Sequence, residues 1–209
     1  MPYDRAISYL RVGRYEHVLA LHHVLPGWHD EPLARGMYRH LITGAGKSPG
    51  GPSLEVLVRP MRPEDLDALV EFWADMSNDP VVSGRIYPPT EENKRKWRSW
   101  VLKVHEEDER QVLVAETNGQ VIGYILFRVR TDLPLWSPHR MATIYDLYVR
   151  PDFRRRGVAT KLLAEALEAM RPRGVTLVTI TALVANEPAL RLYRKVGFRD
   201  LRLTLVKEL

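Results

Sequence analysis

The stretch from Thr143 to Ala169, TIYDLYVRPDFRRRGVATKLLAEALEA, predicts a strand, an arginine-rich loop and a helix in succession. Ile144 to Val149 predicts a buried strand, because β-branched and aromatic residues run there without an interior breaker. Pro151 ends that strand, since proline lacks the N–H group that a ladder requires. A helix should follow, because apolar residues then repeat at helical spacing. These residues are Val158, Leu162, Leu163, Ala166, Leu167 and Met170.

The junction between the arginine-rich loop and this helix has the chemistry of an anion site. The first turn of a helix leaves backbone N–H groups without intrahelical partners, and the macrodipole adds partial positive charge there. Phosphate is the usual ligand of such a terminus. Gly157 lets a ligand approach the backbone, and Ala159 keeps the next inward position small. The pattern Arg154-x-x-Gly157-x-Ala159 therefore indicates a phosphate loop, with a solvated basic turn as the alternative.

This pattern resembles the acyl-CoA pyrophosphate loop of the GNAT superfamily of N-acetyltransferases, Arg/Gln-x-x-Gly-x-Gly/Ala between a strand and a helix. A second block, residues 186–198 with the sequence NEPALRLYRKVGF, resembles that superfamily's N-x-x-A-x-x-L-Y-x-x-x-G-F run. The two blocks occur in order and in matching structural contexts. The resemblance implies an α/β fold with a mixed, mostly antiparallel sheet flanked by helices. It also implies acetyl-CoA as cosubstrate and an amine as acceptor.

The resemblance assigns roles to particular residues. Two neighbouring strands should splay apart and admit the pantetheine arm, which three residues would line through backbone contacts: Leu147, Tyr148 and Val149. The pyrophosphate would be held by Arg154, Arg155, Arg156, Gly157, Val158, Ala159 and Thr160. Asn186 would bond the pantetheine or a bridging water. Tyr193 would face the thioester sulfur and protonate the leaving thiolate, unless its ring merely packs under the helix.

Asp146 is the best candidate for the base that removes a proton from the amine. It is a carboxylate in an otherwise apolar strand, where burial would raise its pKa toward neutrality. Recognition of the substrate amine, or pairing with an arginine, is an equally weighted alternative. A backbone N–H near Val149 would stabilise the developing oxyanion. Glu116 and His139 are weaker candidates.

The chain divides into a helical N-terminal extension over residues 1–43, a linker over 44–53 and an acetyltransferase domain over 54–209. The linker is rich in glycine, proline and serine. The extension is too small for a good core, so it should pack on the main domain or on a second subunit, which leaves a homodimer open. Its histidines match no common metal pattern, so we predict no metal site. They are His17, His22, His23 and His29.

The main domain reads as an alternation of strands and helices. Strands are expected at Leu54–Val58, Gln111–Thr117, Val121–Arg130, 176–184 and a terminal segment from Arg199 or Leu201 to about Val206. Helices are expected from Pro63, after Thr90, from Val158 and over residues 188–196. Asn118-Gly119 is a strong hairpin turn between two of the strands.

The composition of the chain argues against a membrane-spanning or secreted protein. The chain has 209 residues with a net charge of +5, 45% hydrophobic residues and no cysteine. No apolar run approaches the roughly 20 residues of a membrane span, and the N-terminus lacks the plan of a signal peptide. We predict a cytoplasmic acetyl-CoA-dependent N-acetyltransferase. A non-catalytic acyl-CoA sensor is the alternative, and nucleic-acid binding through the arginines is a third, less favoured hypothesis.

Overall fold

A five-stranded mixed sheet with helices on both faces forms the fold. The computed structural model of the chain describes residues 54–83, 88–130 and 140–207. The strands are β1 Leu57–Pro60, β2 Val112–Thr117, β3 Gln120–Arg130, β4 Met141–Val149 and β5 Leu177–Ile180. The helices are α1 Leu66–Asn78, α2 Pro80–Ser83, α3 Glu91–Glu107, α4 Val158–Met170 and α5 Glu187–Val196. Short helical turns over Pro63–Asp65, Glu109–Gln111, Pro151–Phe153 and Arg171–Arg173 connect several of them.

The strands lie in the order β1-β2-β3-β4-β5, so each pairs with its neighbour in sequence. The first four strands are antiparallel, and β4 pairs with β5 in parallel. The turn between β2 and β3 uses Asn118 and Gly119 at φ 49° and 75°, which confirms the predicted hairpin. The mixed, mostly antiparallel sheet flanked by helices is therefore confirmed.

Two apolar layers cover the sheet. On one face, α1 and α3 pack side chains such as Leu69, Trp97 and Val101 against Tyr124 and Leu126 of β3. On the other face, α4 buries the apolar stripe that the sequence predicts, with every one of its six residues at most 9% exposed. Because both faces are covered, the central strands are buried on both sides.

Two predicted strands differ from the structure. The predicted strand 176–184 is too long, since β5 ends at Ile180, where β4 turns away and no longer offers a partner. The terminal strand is wrong, because residues 199–207 form no strand. Leu201, Leu203 and Leu205 alternate as in a strand but are 70–84% exposed. Alternation gives a segment the capacity to form a strand, but a ladder requires a partner as well.

Other bounds shift by a few residues. The first strand begins at Leu57 and continues to Pro60, later than predicted, and Gln111 belongs to a helical turn before β2. Among the described residues, no helix is long and apolar enough to cross a membrane. The predicted helical extension and the linker lie outside the described residues.

Candidate active site

The cleft forms where β4 and β5 separate. The two strands pair only between Met141–Ile144 and Leu177–Ile180. β4 continues for five more residues, Tyr145 to Val149, without β5 beside it. The predicted splay between these strands is therefore a feature of the structure. It leaves an opening at the carboxyl end of β4, next to the arginine-rich loop.

A β-bulge at Tyr145 accounts for the separation. Leu126 of β3 pairs with Asp146, and the next residue, Phe127, pairs with Ile144, so Tyr145 is an extra residue in β4. A bulge bends its strand and increases the local twist. β4 therefore keeps its ladder with β3 on one side while it diverges from β5 on the other.

The arginine-rich loop turns sharply before α4. Arg155 and Gly157 both adopt the left-handed region, with φ of 65° and 83°. Gly157 is the N-cap of α4, and its carbonyl accepts the hydrogen bond of Lys161 N–H at 3.0 Å. The backbone N–H groups of the preceding turn, from Val158 to Thr160, thus point out of the helix end. Arg154 to Gly157 are exposed, so a solvated anion can reach this terminus.

Arg154 ties this loop to the end of β4. Its Nε donates to the carbonyl oxygen of Val149 at 2.9 Å, and its guanidinium lies 5.8 Å from the ring centroid of Tyr148. The Tyr148 hydroxyl donates to Asp75 of α1 at 3.0 Å. Burial, followed by that contact, raises the pKa of Tyr148 to about 12. The Tyr148 side chain is thus engaged in the core, which leaves only its backbone for the predicted pantetheine contact.

The carboxylate of Asp146 is held by two donors from the core. Trp97 Nε1 donates to Asp146 Oδ2 at 3.1 Å, and the Tyr124 hydroxyl donates to the same oxygen at 3.4 Å. Burial raises the pKa of Asp146 to about 6, although both hydrogen bonds favour the ionised form and lower it. The predicted shift toward neutrality is confirmed. A carboxylate with this pKa is ionised at pH 7 yet can still accept a proton.

Tyr193 approaches the same region from α5. Burial raises its pKa to about 12, and the negative charge of Asp146 adds to that rise. The charge of Asp146 on β4 thus reaches Tyr193 on the helix after β5. The Tyr193 ring also makes an edge contact with Phe198, at 6.1 Å between centroids. Tyr193 therefore stays protonated at pH 7, as a proton donor must.

A sequence profile described as "Acetyltransferase (GNAT) family" matches residues 69–198, from the first helix to the end of the second sequence block. This match covers more than half of the chain and includes the splayed strands, the loop and α5. The chain belongs to the GNAT family of acetyltransferases.

Individual relatives agree with the family. An uncharacterized N-acetyltransferase of Methanocaldococcus jannaschii is 28% identical over 144 residues, which are 68% of this chain and 60% of that protein. An N-alpha-acetyltransferase of Sulfurisphaera tokodaii is 31% identical over 101 residues, 46% of this chain and 60% of that one. Among solved structures, a ribosomal-protein-alanine N-acetyltransferase from Brucella melitensis has a TM-score of 0.58 at 27% identity. That likeness covers 70% of this chain and 86% of the Brucella chain.

The GNAT chain spans 60% of the length of each of the two archaeal relatives it matches. Family and fold are therefore shared with them, whereas the substrate of the whole protein has to be argued from its own site.

Asn186 of this GNAT domain has a structural duty that the sequence did not reveal. It is the N-cap of α5, and its Oδ1 accepts from the backbone N–H of Ala189 at 3.3 Å. A capping side chain of this kind satisfies one of the free donors at a helix start. Its predicted contact with pantetheine stays a prediction.

Glu116, one of the two weaker candidates, does not join the site. The Glu116 carboxylate accepts a hydrogen bond from Arg59 at 2.7 Å, and Arg59 also donates to Asp65. These three side chains form an ion-pair network that joins β1, β2 and the helical turn Pro63–Asp65. His139 and the four N-terminal histidines lie outside the described residues. Within the described ranges, no cluster of three or more histidine or acidic side chains could hold a metal ion.

Two residues of the site escaped the sequence analysis, namely Trp97 and Tyr124. Trp97 reads as an inward-facing residue of α3, which is correct, but its partner Asp146 lies 49 residues away. Tyr124 reads as a core residue of β3 and is fully buried. No local pattern distinguishes an aromatic core residue from one that also bonds a carboxylate.

Proposed function

We propose that this GNAT protein transfers the acetyl group of acetyl-CoA to a primary amine. One observation carries the proposal: Asp146 is a partly buried carboxylate with a raised pKa, beyond the point where β4 and β5 part, and its charge reaches a neutral tyrosine, Tyr193. A helix N-terminus suited to phosphates lies at the end of the same strand. Proton acceptor, proton donor and anion site are thus grouped around one cleft.

The donor side of the proposal rests on the loop before α4. The pyrophosphate of acetyl-CoA would accept hydrogen bonds from backbone N–H groups between Arg154 and Thr160, helped by the dipole of the 13-residue helix. The exposed arginines add positive charge, which speeds the encounter with an anion. The pantetheine arm would run along Leu147 to Val149, where the strand has no neighbour in β5. Its thioester would then point toward Tyr193.

The chemistry requires three proton movements. The amine loses a proton to Asp146, directly or through water, and its lone pair forms the C–N bond with the thioester carbonyl. The tetrahedral intermediate then collapses with cleavage of the C–S bond, and the thiolate takes a proton from Tyr193. A backbone N–H near Val149 would stabilise the oxyanion between these steps. The nitrogen gives its remaining extra proton to the Tyr193 phenolate, directly or through water, and Asp146 releases its proton to solvent. Atoms and charge then balance, and the products are an amide and CoA.

The lower pKa of an α-amine favours it as the acceptor. An α-amino group has a pKa of about 8 and a lysine side chain about 10.4. From a base of pKa about 6, deprotonation costs ~3 kcal/mol for the α-amine and ~6 kcal/mol for lysine, at ~1.4 kcal/mol per pH unit. The Sulfurisphaera protein is named an N-alpha-acetyltransferase and the Brucella protein a ribosomal-protein-alanine N-acetyltransferase, and these names agree with this choice.

The test combines binding with an acceptor comparison. Acetyl-CoA should raise the melting temperature of the full chain by mass action. Thiol release should then be measured with a peptide that has a free N-terminus, and with the same peptide blocked at the N-terminus but carrying lysine. We expect turnover with the first only. Turnover with the blocked peptide alone would refute the α-amine, and stabilisation without any turnover would support the acyl-CoA sensor.

Two further parts of the proposal concern context. A cytoplasmic location is supported by the use of acetyl-CoA and the absence of cysteine from the sequence. A homodimer stays a prediction, which light scattering on the full chain would decide. Nucleic-acid binding would require an affinity that falls steeply with salt and ignores CoA. The proposal gives the arginine-rich loop a different ligand, the pyrophosphate of acetyl-CoA.

A further inference from the structure

The bulge in β4 changes the direction of two consecutive side chains. In a regular strand, Tyr145 and Asp146 would point to opposite faces of the sheet. Here both contact α3: Tyr145 meets the Trp100 ring at 5.1 Å, and Asp146 accepts from Trp97. Trp97 and Trp100 are three residues apart and therefore lie on one face of the helix. The extra residue thus places a carboxylate against a rigid aromatic layer.

The two donors to Asp146 are themselves fixed by packing. Trp97 stacks on Trp73 at 5.7 Å between centroids and makes an edge contact with Tyr124 at 5.9 Å. Both donors bond to Oδ2, and no hydrogen-bond donor among the described residues reaches Oδ1. Among the described residues, the carboxylate is therefore held through Oδ2, and Oδ1 has no such contact. We name Trp97 and Tyr124 the Asp146 clamp.

We propose that the Asp146 clamp consists of positioning residues, which hold Asp146 so that Oδ1 faces the incoming amine. The inference rests on the proposed acetyl transfer and deepens it, because it names what orients the proton acceptor. An aspartate without these donors could rotate about its side-chain torsions, and each wrong orientation would separate the oxygen from the amine. Small errors in the position of a catalytic group reduce rates strongly.

The clamp also controls when Asp146 is ionised. Three groups face it: Trp97 from α3, Tyr124 from β3 and Tyr193 from α5. Indole does not titrate in this range, and burial raises the pKa values of both tyrosines, so all three stay neutral near pH 6. The pH dependence near neutrality should then report Asp146 itself. Loss of a donor to the ionised form should move its pKa further upward.

The experiment compares Trp97→Phe and Tyr124→Phe with a matched control, Trp73→Phe. Trp73 belongs to the same aromatic layer but does not bond Asp146. The dependence of kcat/KM on pH should show an acid limb near pH 6 in the wild type and in the control. In Trp97→Phe this limb should rise by about one pH unit, since a charge-assisted hydrogen bond is lost, and kcat should fall more than KM changes. Tyr124→Phe should give a smaller rise, because its bond is longer.

A second readout does not need activity. The indole N–H signal of Trp97, identified by its absence in Trp97→Phe, should shift in NMR spectra with a midpoint near pH 6. In Asp146→Asn this titration should disappear. If the wild type acetylates no amine, the proposed function fails, and this titration alone decides the clamp. An indole signal that does not titrate would overturn the inference. An acid limb that Trp73→Phe moves as far as Trp97→Phe would overturn it too.

Discussion

The two sides of the cleft use different chemical groups, backbone on one side and side chains on the other. The proposed cofactor side, from Arg154 to Thr160, is backbone at a helix start, with Arg154 to Gly157 exposed and two residues in the left-handed region. The acceptor side is a carboxylate held by side chains of the core, Trp97 and Tyr124, which are at most 7% exposed. One side therefore depends on chain conformation, and the other depends on packing between distant elements.

Because of this difference, the two sides should tolerate different amino-acid substitutions. Backbone donors survive the exchange of most side chains, provided that the chain can still adopt its turn. A carboxylate held by buried donors is sensitive to each of them, but changes on the surface leave it alone. Substitutions on each side should therefore change different quantities, namely kcat, acetyl-CoA affinity and stability.

The largest effect is expected on the acceptor side, from Tyr193→Phe. Without the hydroxyl no proton is supplied to the thiolate, so kcat should fall by roughly 10²–10⁴-fold, the usual contribution of a general acid. Acetyl-CoA affinity, measured by calorimetry, should stay within a factor of about two, because the phosphate contacts are backbone donors at the other end of the cleft. An unchanged kcat would mean that the proton comes from another group.

Gly157→Glu should give the next largest effect, on the cofactor side. The substitution places an anion at the phosphate site and strains a left-handed residue, so acetyl-CoA affinity should fall by at least about 100-fold.

Gly157→Ala isolates the conformational part. A Cβ at Gly157 meets nothing within 4 Å, so only the strain remains, and about a tenfold loss of affinity is expected. Gly174→Ala is the matched control, since Gly174 is also left-handed with open space around a Cβ and caps the turn after α4. It should reduce stability similarly while the affinity stays unchanged. Equal acetyl-CoA affinity in all three variants would show that the phosphates do not bind at this loop.

A change in stability, instead of activity, is expected from the raised pKa of Asp146. The pKa of Asp146 is raised from 3.8 to about 6 on folding, so the folded state binds more protons than the unfolded state between these values. Stability contributed by this group is therefore present below pH 4 and lost as pH rises through 6. Asp146→Asn should remove that loss and stabilise the protein at pH 8 by up to about 3 kcal/mol, at ~1.4 kcal/mol per pH unit.

Urea unfolding at pH 5 and pH 8 measures this difference. The gain from Asp146→Asn should be larger at pH 8, and the same variant should lose acetyl transfer. A variant that is destabilised at both pH values would show that the hydrogen bonds of the ionised form outweigh its burial.

Sequence reasoning succeeds where the determinants are local. The strand Ile144–Val149, the loop and the helix from Val158 follow from periodicity and breakers within one stretch, and the structure has them in place. The elevated pKa of Asp146 also follows from a carboxylate in an apolar strand. Each of these inferences needs only neighbours in the chain.

Sequence reasoning fails where the structure of a segment depends on residues distant in the chain. Residues 201–206 have the alternation of a strand, but the structure gives them no neighbour, and β5 ends at Ile180 for the same reason. The bulge at Tyr145 cannot be read from composition, because its cause is a mismatch between two strands. Without the bulge in view, the contacts of Trp97 and Tyr124 with Asp146 cannot be deduced either.

The extra residue in β4 also bears on how such a protein could lose its activity. A deletion inside a strand normally turns every later side chain to the wrong face. Deletion of Tyr145 would instead restore a regular ladder, since Leu126 and Phe127 would then face consecutive partners, Asp146 and Ile144. The fold would keep its register on both sides while the strand straightens toward β5. Loss of a single codon could thus leave an intact scaffold that no longer admits acetyl-CoA.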